Sequence, residues 1–248
     1  METNMNFPQN PSQSKTSSQI TGFGIHQRRF ALITGTSLLL MAVVAGFSIG
    51  YAYETFDTPE QAEFLSANIL QNSGLYQSML IGILVIIILD FIVAYTLYKY
   101  FESDHKKMSL VSGIIRAIYT VMFGVATYYL AQNLYTQDLT NQLASLNFQR
   151  FQTIWNSGLV VFGFHIVLVG ILMRLHGKIP TTLWIITLVA GVSYVGTSLL
   201  KVLSPDAEMV ESLVMILAVP MTIGELGLAI WLLIRGGKET RRQAETSL

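Results

Sequence analysis

Six apolar stretches, each long enough to cross the hydrocarbon core of a bilayer, leave this chain few choices of fold. They lie at 30–53, 76–100, 109–132, 152–175, 180–202 and 211–235, and a helical crossing takes roughly 20 residues. Each is rich in Leu, Ile, Val, Ala and Gly, and none shows the period-two alternation of a barrel strand. Hydrocarbon offers no water to exposed amides, so such stretches become helices. The expected fold class is all-α: a polytopic membrane protein, six transmembrane helices in one bundle. Composition decides one further point. Only 12% of the 248 residues are charged, about half the roughly 25% of a soluble domain.

The basic residues set the orientation. One set of span ends carries Lys15, Arg28, Arg29, Lys99, Lys106, Lys107, Arg174, Lys178, Arg235, Lys238, Arg241 and Arg242; the other carries Arg150 and Lys201. By the positive-inside rule both termini are cytoplasmic and the expected location is a bacterial plasma (inner) membrane. The first span is too long for a signal-peptide core and reads as a retained anchor. Residues 1–29 form a leader, rich in Ser, Gln, Asn, Thr and Pro and expected to be disordered. The transmembrane domain takes 30–237, and 238–248 is a cytoplasmic tail. Two outer loops are longer than connection requires. Thr58 before Pro59 and Glu60 reads as a helix cap, with Phe64, Leu65, Ile69 and Leu70 on one stripe. Leu139, Leu143 and Leu146 recur at helical spacing in the second, and both loops read as segments tucking apolar residues against helix ends, the alternative being short helices on the outer surface that form a lid over the bundle.

Several function classes drop out. The absence of cysteine removes disulfides, thiolate metal sites and thiol nucleophiles. Fifteen Lys plus Arg against fifteen Asp plus Glu leaves no nucleic-acid footprint. No nucleophile elbow, P-loop or HExxH motif occurs, and no cofactor is expected. Spans one to three and four to six do not share polar positions, so no internal repeat is supported.

Four ionisable residues lie deep in the spans: Asp90, Arg116, His165 and Glu225. Each is 9 or 10 residues from a basic residue at the cytoplasmic end of its helix: Lys99, Lys107, Arg174 and Arg235 respectively. At 1.5 Å per residue all four sit about 14 Å inside that boundary. Charges at this depth cost several kcal/mol and mark a functional site by default. The layer is expected to form one buried cluster. Arg116 pairs with one carboxylate, and the second has His165 as its natural partner, which with neutral imidazole leaves one negative charge and room for an exchangeable proton. Tyr119 and Thr120 lie one turn from Arg116, Tyr194 lies in span five, Thr36 and Ser37 lie at similar depth, and Pro220 precedes Glu225 in a glycine-rich span. His26, His105 and His176 are expected to be solvated, and Trp155 to serve as an interfacial anchor or packing residue.

Leu89-Asp90 with Ala94 and Leu97-Tyr98, Arg116, Gly163-Phe164-His165 with Gly170, Gly177-Lys178-Ile179-Pro180, Ala190-Gly191 with Tyr194, and Gly224-Glu225-Leu226 with Trp231-Leu232-Leu233 and Gly236 follow in a characteristic order. This pattern resembles the bacterial six-span family catalogued as domain of unknown function 4386, over about residues 30–237. The resemblance implies a six-helix membrane fold and supports the Asp, Arg, His and Glu positions; it brings no activity. Three readings stay open. The first is a proton-linked small-molecule or ion binding and transport site. The second is an intramembrane enzyme acting on a lipid or hydrophobic substrate, with His165, Asp90 and Glu225 as the only candidate metal ligands. The third is a structural or sensory partner in which the polar layer locks helix register. The expected partners are the lipid bilayer and a small-molecule or lipid ligand, with homo-oligomerisation not readable.

Overall fold

The computed structural model describes residues 11–58, 63–203 and 208–238, with side chains over 26–58, 63–203 and 212–238. No strand occurs among the described residues. α1 (Pro11–Phe47) runs into a π-helical stretch (Ser48–Tyr53) and a last turn, α2 (Glu54–Phe56); a short α3 (Leu65–Gln71) follows. The rest is α4 (Ser73–Tyr135), α5 (Asn141–His176), α6 (Thr181–Leu203) and α7 (Glu208–Ile234). Five helices are long and apolar enough to cross a membrane: residues 26–56, α4, α5, α6 and 212–234. Their outward faces carry Val43, Ile81, Ile88, Val121 and Ile216 more than half exposed. Such a surface belongs against lipid.

The 63 residues of α4 would make a rod of about 95 Å, three times the hydrocarbon thickness. The helix does not stay straight. His105 leaves helical geometry at φ −152°, ψ 82°, and the arms 73–104 and 106–135 fold back on each other. The Ser109 hydroxyl donates to the Tyr98 carbonyl at 2.7 Å, and the Tyr76 hydroxyl donates to the Leu130 carbonyl at 2.8 Å. Residues 54 apart in sequence can meet only if the arms are antiparallel. The stretches 76–100 and 109–132 are these two arms.

The other boundaries shift for local reasons. α1 begins at Pro11, so 11–29 is helical where a disordered leader is expected. No proline follows Pro11 in this segment, and a helix already nucleated in the membrane extends at little cost. α5 starts at Asn141 rather than 152, because the Thr140 hydroxyl caps it by accepting from the Leu143 amide at 3.3 Å. Leu143 and Leu146 therefore ride on α5 itself. α3 has Phe64 at its N-cap position without a side-chain cap. Of the expected stripe, Leu65 and Ile69 are buried while Phe64 and Leu70 are exposed. The Ser66 amide and hydroxyl both donate to Asn141 Oδ1, at 2.9 and 2.6 Å, tying α3 to the start of α5. Residues 1–10 of the leader, Pro59 and Glu60 of the expected cap, and 239–248 of the tail lie outside the described residues.

α5 stops at Gly177, whose φ of 73° favours glycine and whose amide donates to the Arg174 carbonyl. α6 then returns along α5 with glycine facing glycine. A Cβ at Gly163 would lie 2.8 Å from the Val195 nitrogen and 2.9 Å from the Gly191 carbonyl oxygen, and one at Gly191 would lie 2.7 Å from the Val167 nitrogen. Small residues are what lets two membrane helices approach this closely.

Buried side chains gather into two apolar clusters. One, at the end carrying α3, includes Tyr53, Phe56, Ile69, Tyr76, Phe148 and Phe151. The other, at the end carrying the basic residues, includes Val93, Leu97, Phe101, Val169, Leu172 and Leu232. The ionisable layer lies between them.

Candidate functional site

Asp90 on the first arm of α4, Arg116 on the second and His165 on α5 come together, each 1% exposed. Arg116 donates from Nε and Nη2 to the same Asp90 oxygen, Oδ1, at 2.9 and 2.5 Å. Its Nη1 lies 3.3 Å from His165 Nε2. The other imidazole nitrogen, Nδ1, lies 2.9 Å from both the Ser112 carbonyl and the Ser112 hydroxyl oxygen. A carbonyl can only accept, so the proton sits on Nδ1. Nε2 is then a lone pair that accepts from the guanidinium. The imidazole is neutral in this arrangement, and it orients the arginine rather than carrying charge.

Glu225 on α7 belongs to a different pair. Tyr194 on α6 donates its hydroxyl to Glu225 Oε1 at 2.6 Å. The expected His165–Glu225 partnership is therefore corrected: both ring nitrogens of His165 are taken by Ser112 and Arg116. The same geometry disposes of His165, Asp90 and Glu225 as a metal set, and among the described residues no group of three or more His, Asp or Glu could hold a metal ion.

A cavity of about 440 Å³ joins the two pairs. Asp90, Arg116 and Glu225 form its floor. Tyr119, Trp155, Phe162 and Tyr194 supply aromatic wall, and Leu38, Met41, Ile86 and Met221 supply aliphatic wall. Apart from Leu226, the lining residues beyond the floor lie toward the α3 end of their helices. Phe162 closes one side of the guanidinium, 5.3 Å from ring centroid to Cζ. The floor carries two carboxylates against one guanidinium. Asp90 Oδ2, fully buried, has no hydrogen-bond partner. Leaving a buried carboxylate oxygen unmatched costs about 1–3 kcal/mol.

The supporting residues divide. Tyr119 lines the cavity and stacks on Phe123 at 6.0 Å. Tyr194 holds Glu225. The Thr120 hydroxyl instead donates back to the Arg116 carbonyl within its own helix, and Pro220 sits inside α7 one residue before the wall residue Met221. In α1 the inward threonine is Thr34, which donates to Thr96 Oγ1 at 2.7 Å, while Thr36 is exposed. Trp155, expected as an interfacial anchor or packing residue, packs on Phe123 and Phe151 and lines the cavity. His176, expected to be solvated, is bonded to Asp104 at 2.7 Å and packed among Tyr100, Phe101 and Trp231. Ser112 and Phe162 escaped sequence reasoning. Their signal was helical spacing, since Ser112 is four residues before Arg116 and Phe162 three before His165. On its basic side the layer is backed by the apolar cluster that includes Leu97, Phe101, Leu172 and Leu232.

An uncharacterized protein of Archaeoglobus fulgidus is 29% identical over 159 residues, which cover 64% of this chain and 84% of that one. No solved structure matches. The model of a family described as Domain of unknown function (DUF4386) matches residues 33–236, a stretch that holds both arms of α4, the Gly163–Gly191 crossing and all four ionisable floor and support residues. The chain belongs to that family and is a membrane protein with transmembrane helices.

Proposed function

We propose that the protein is a six-crossing plasma-membrane protein with both termini in the cytoplasm, and that its cavity binds a small molecule or ion in exchange with a proton. The imbalance of basic residues between the two sets of helix ends supports the orientation. The two arms of α4, each about one bilayer in length, support the count of six.

One observation carries the binding reading: a 440 Å³ cavity lined by Glu225 and by the buried Asp90–Arg116 pair, which together bring two carboxylates against one guanidinium. Two carboxylates against one guanidinium leave one negative charge to be met by a proton or a cation. The groups facing Glu225 are Tyr194 from α6 and Asp90, Arg116 and Tyr119 from α4; α1 and α5 present Leu38, Met41 and Phe162, none of which titrates. Glu225 is therefore where a proton and a ligand would compete.

Native mass spectrometry of protein released from mild detergent, at pH 6 and pH 8, tests this reading. Wild type is expected to carry a discrete extra mass, weaker at pH 6, that Glu225→Gln lacks. Identical spectra from both proteins at both pH values would overturn it. The Asp90–Arg116 pair favours a second role for part of the layer, because it bonds the two arms of α4 together. That role predicts that Asp90 variants lose stability whether or not a ligand is present.

A further inference from the structure

Three features of the cavity bear on what it holds, and all go one step past the proposed function, on which they rest. The first is charge. With His165 neutral and Arg116 engaged by Asp90, the floor has excess negative charge, and Asp90 Oδ2 is a buried acceptor without a donor. The second is the wall. The rings of Tyr119, Trp155 and Tyr194 line the space together with aliphatic side chains, and aromatic rings within about 6 Å attract cations, more so when desolvated. An anion would meet two carboxylates, and a neutral hydrocarbon would leave the excess negative charge of the floor without a counter-charge.

The third feature is where the cavity opens. Of its lining residues, the two that are exposed are Ala42 on α1 and Thr222 on α7. Ala42 is 13 residues beyond Arg29, and Thr222 is 13 before Arg235, which puts both about 20 Å along their helices from the basic end, at hydrocarbon depth. Nearer that end the same two helices are sealed. A Cβ at Gly35 would lie 2.8 Å from the Ala229 carbonyl oxygen, and one at Gly236 would lie 2.7 Å from Ala31 Cβ. Arg28 also donates to the carbonyls of Leu232, Leu233 and Gly236. α1 and α7 are thus clamped at one end, and beside the cavity each turns an exposed lining residue outward.

We propose that the cavity takes lipophilic organic cations, admitted from the bilayer through the opening between α1 and α7. The cationic centre sits over Asp90 and Glu225, and the apolar body lies against the aromatic wall with its far end toward the opening.

Equilibrium dialysis of full-length protein in maltoside micelles tests this with two probes of one shape and opposite charge, tetraphenylphosphonium and tetraphenylborate, with empty micelles subtracted. Saturable binding of about one tetraphenylphosphonium per chain is expected, at least tenfold weaker in Glu225→Gln, with no saturable tetraphenylborate binding. In a stopped-flow binding time course on the same protein, Ala42→Trp is expected to slow tetraphenylphosphonium uptake at least tenfold, while Ile88→Trp, on a lipid face away from the opening, leaves it unchanged. Glu225 forms no ion pair in the structure, so its glutamine variant keeps the Asp90–Arg116 contact and remains a usable readout if Asp90 variants fail to fold. Equal binding of both probes, or an unchanged affinity in Glu225→Gln, would overturn the ligand class. An unchanged uptake rate in Ala42→Trp would overturn the route. If the Glu225-dependent mass appears but tetraphenylphosphonium does not bind, the binding site stands and the organic cation falls; if neither appears, both fall.

Discussion

Arg116 commits all three of its guanidinium nitrogens. Two of its nitrogens go to one carboxylate oxygen, a third to an imidazole held in a single tautomer, and its flat face to Phe162. Removing one member of a buried ion pair leaves a charge without compensation, at a cost of about 3–5 kcal/mol, whereas replacing both with apolar residues of similar volume is often neutral. Asp90→Leu and Arg116→Met alone are each expected to lower the thermal unfolding temperature sharply in detergent. The double variant should recover most of the loss. If the two single losses simply add, the pair is not the lock its geometry describes. The imidazole offers a separate check. In ¹⁵N spectra of histidine-labelled protein at neutral pH, His165 is expected to show the neutral Nδ1–H form, and Ser112→Ala, which keeps the carbonyl, should leave that form in place. A spectrum with both nitrogens protonated would reverse the role assigned here, because the ring would then present a donor to a donor.

Contacts between whole helices depend on residues with almost no side chain. Gly163 and Gly191 each bring a backbone within reach of the opposite helix, so Gly163→Ala is expected to cost about 1–3 kcal/mol of stability through overpacking. Gly124→Ala provides the contrast: nothing lies within 4 Å of a Cβ there, and a helical Gly→Ala change in open space gains up to about 1 kcal/mol. Unfolding of the two variants side by side in detergent measures the difference; equal behaviour would mean the α5–α6 crossing is looser than described. These contacts also show what a single sequence leaves hidden. Apolar runs and the depth of Asp90, Arg116, His165 and Glu225 are properties of one helix at a time, and they were legible. Pairing is a property of two. Whether His165 meets Glu225 or Ser112 depends on how α5 is rotated about its axis, and the Gly163–Gly191 contact that sets this rotation is invisible until both helices are placed. Thr34 and Thr36 differ by the same logic: two residues apart on one helix, they face nearly opposite ways, and only packing against Thr96 selects the first.

At the scale of the whole molecule, the hairpin of α4 decides the topology. Its 63 residues read as two spans in sequence because Lys106 and Lys107 interrupt the apolar run, and one non-helical residue, His105, is enough to reverse the chain. The cavity itself was not legible, since it is the space left between five elements rather than a feature of any one. If the arms are antiparallel and each crosses the membrane, the turn at His105 and the link between α4 and α5 lie on opposite sides, and the turn between α5 and α6 lies with the first. The chain has no cysteine, so single cysteines can be placed on it without altering a native thiol. Ser103, Gln137 and Thr181 are exposed and lie at those three connections. With a membrane-impermeant maleimide applied to intact cells, Gln137→Cys is expected to react, while Ser103→Cys and Thr181→Cys react only after the membrane is opened. Reaction of Ser103→Cys and Thr181→Cys but not Gln137→Cys would keep the hairpin and invert the orientation. Reaction of Ser103→Cys and Gln137→Cys from the same side would mean that the second arm of α4 does not cross. The floor would then lose its transmembrane setting: Arg116 reaches Asp90 by returning through the same depth of bilayer, and an arm lying outside the membrane could not carry it there.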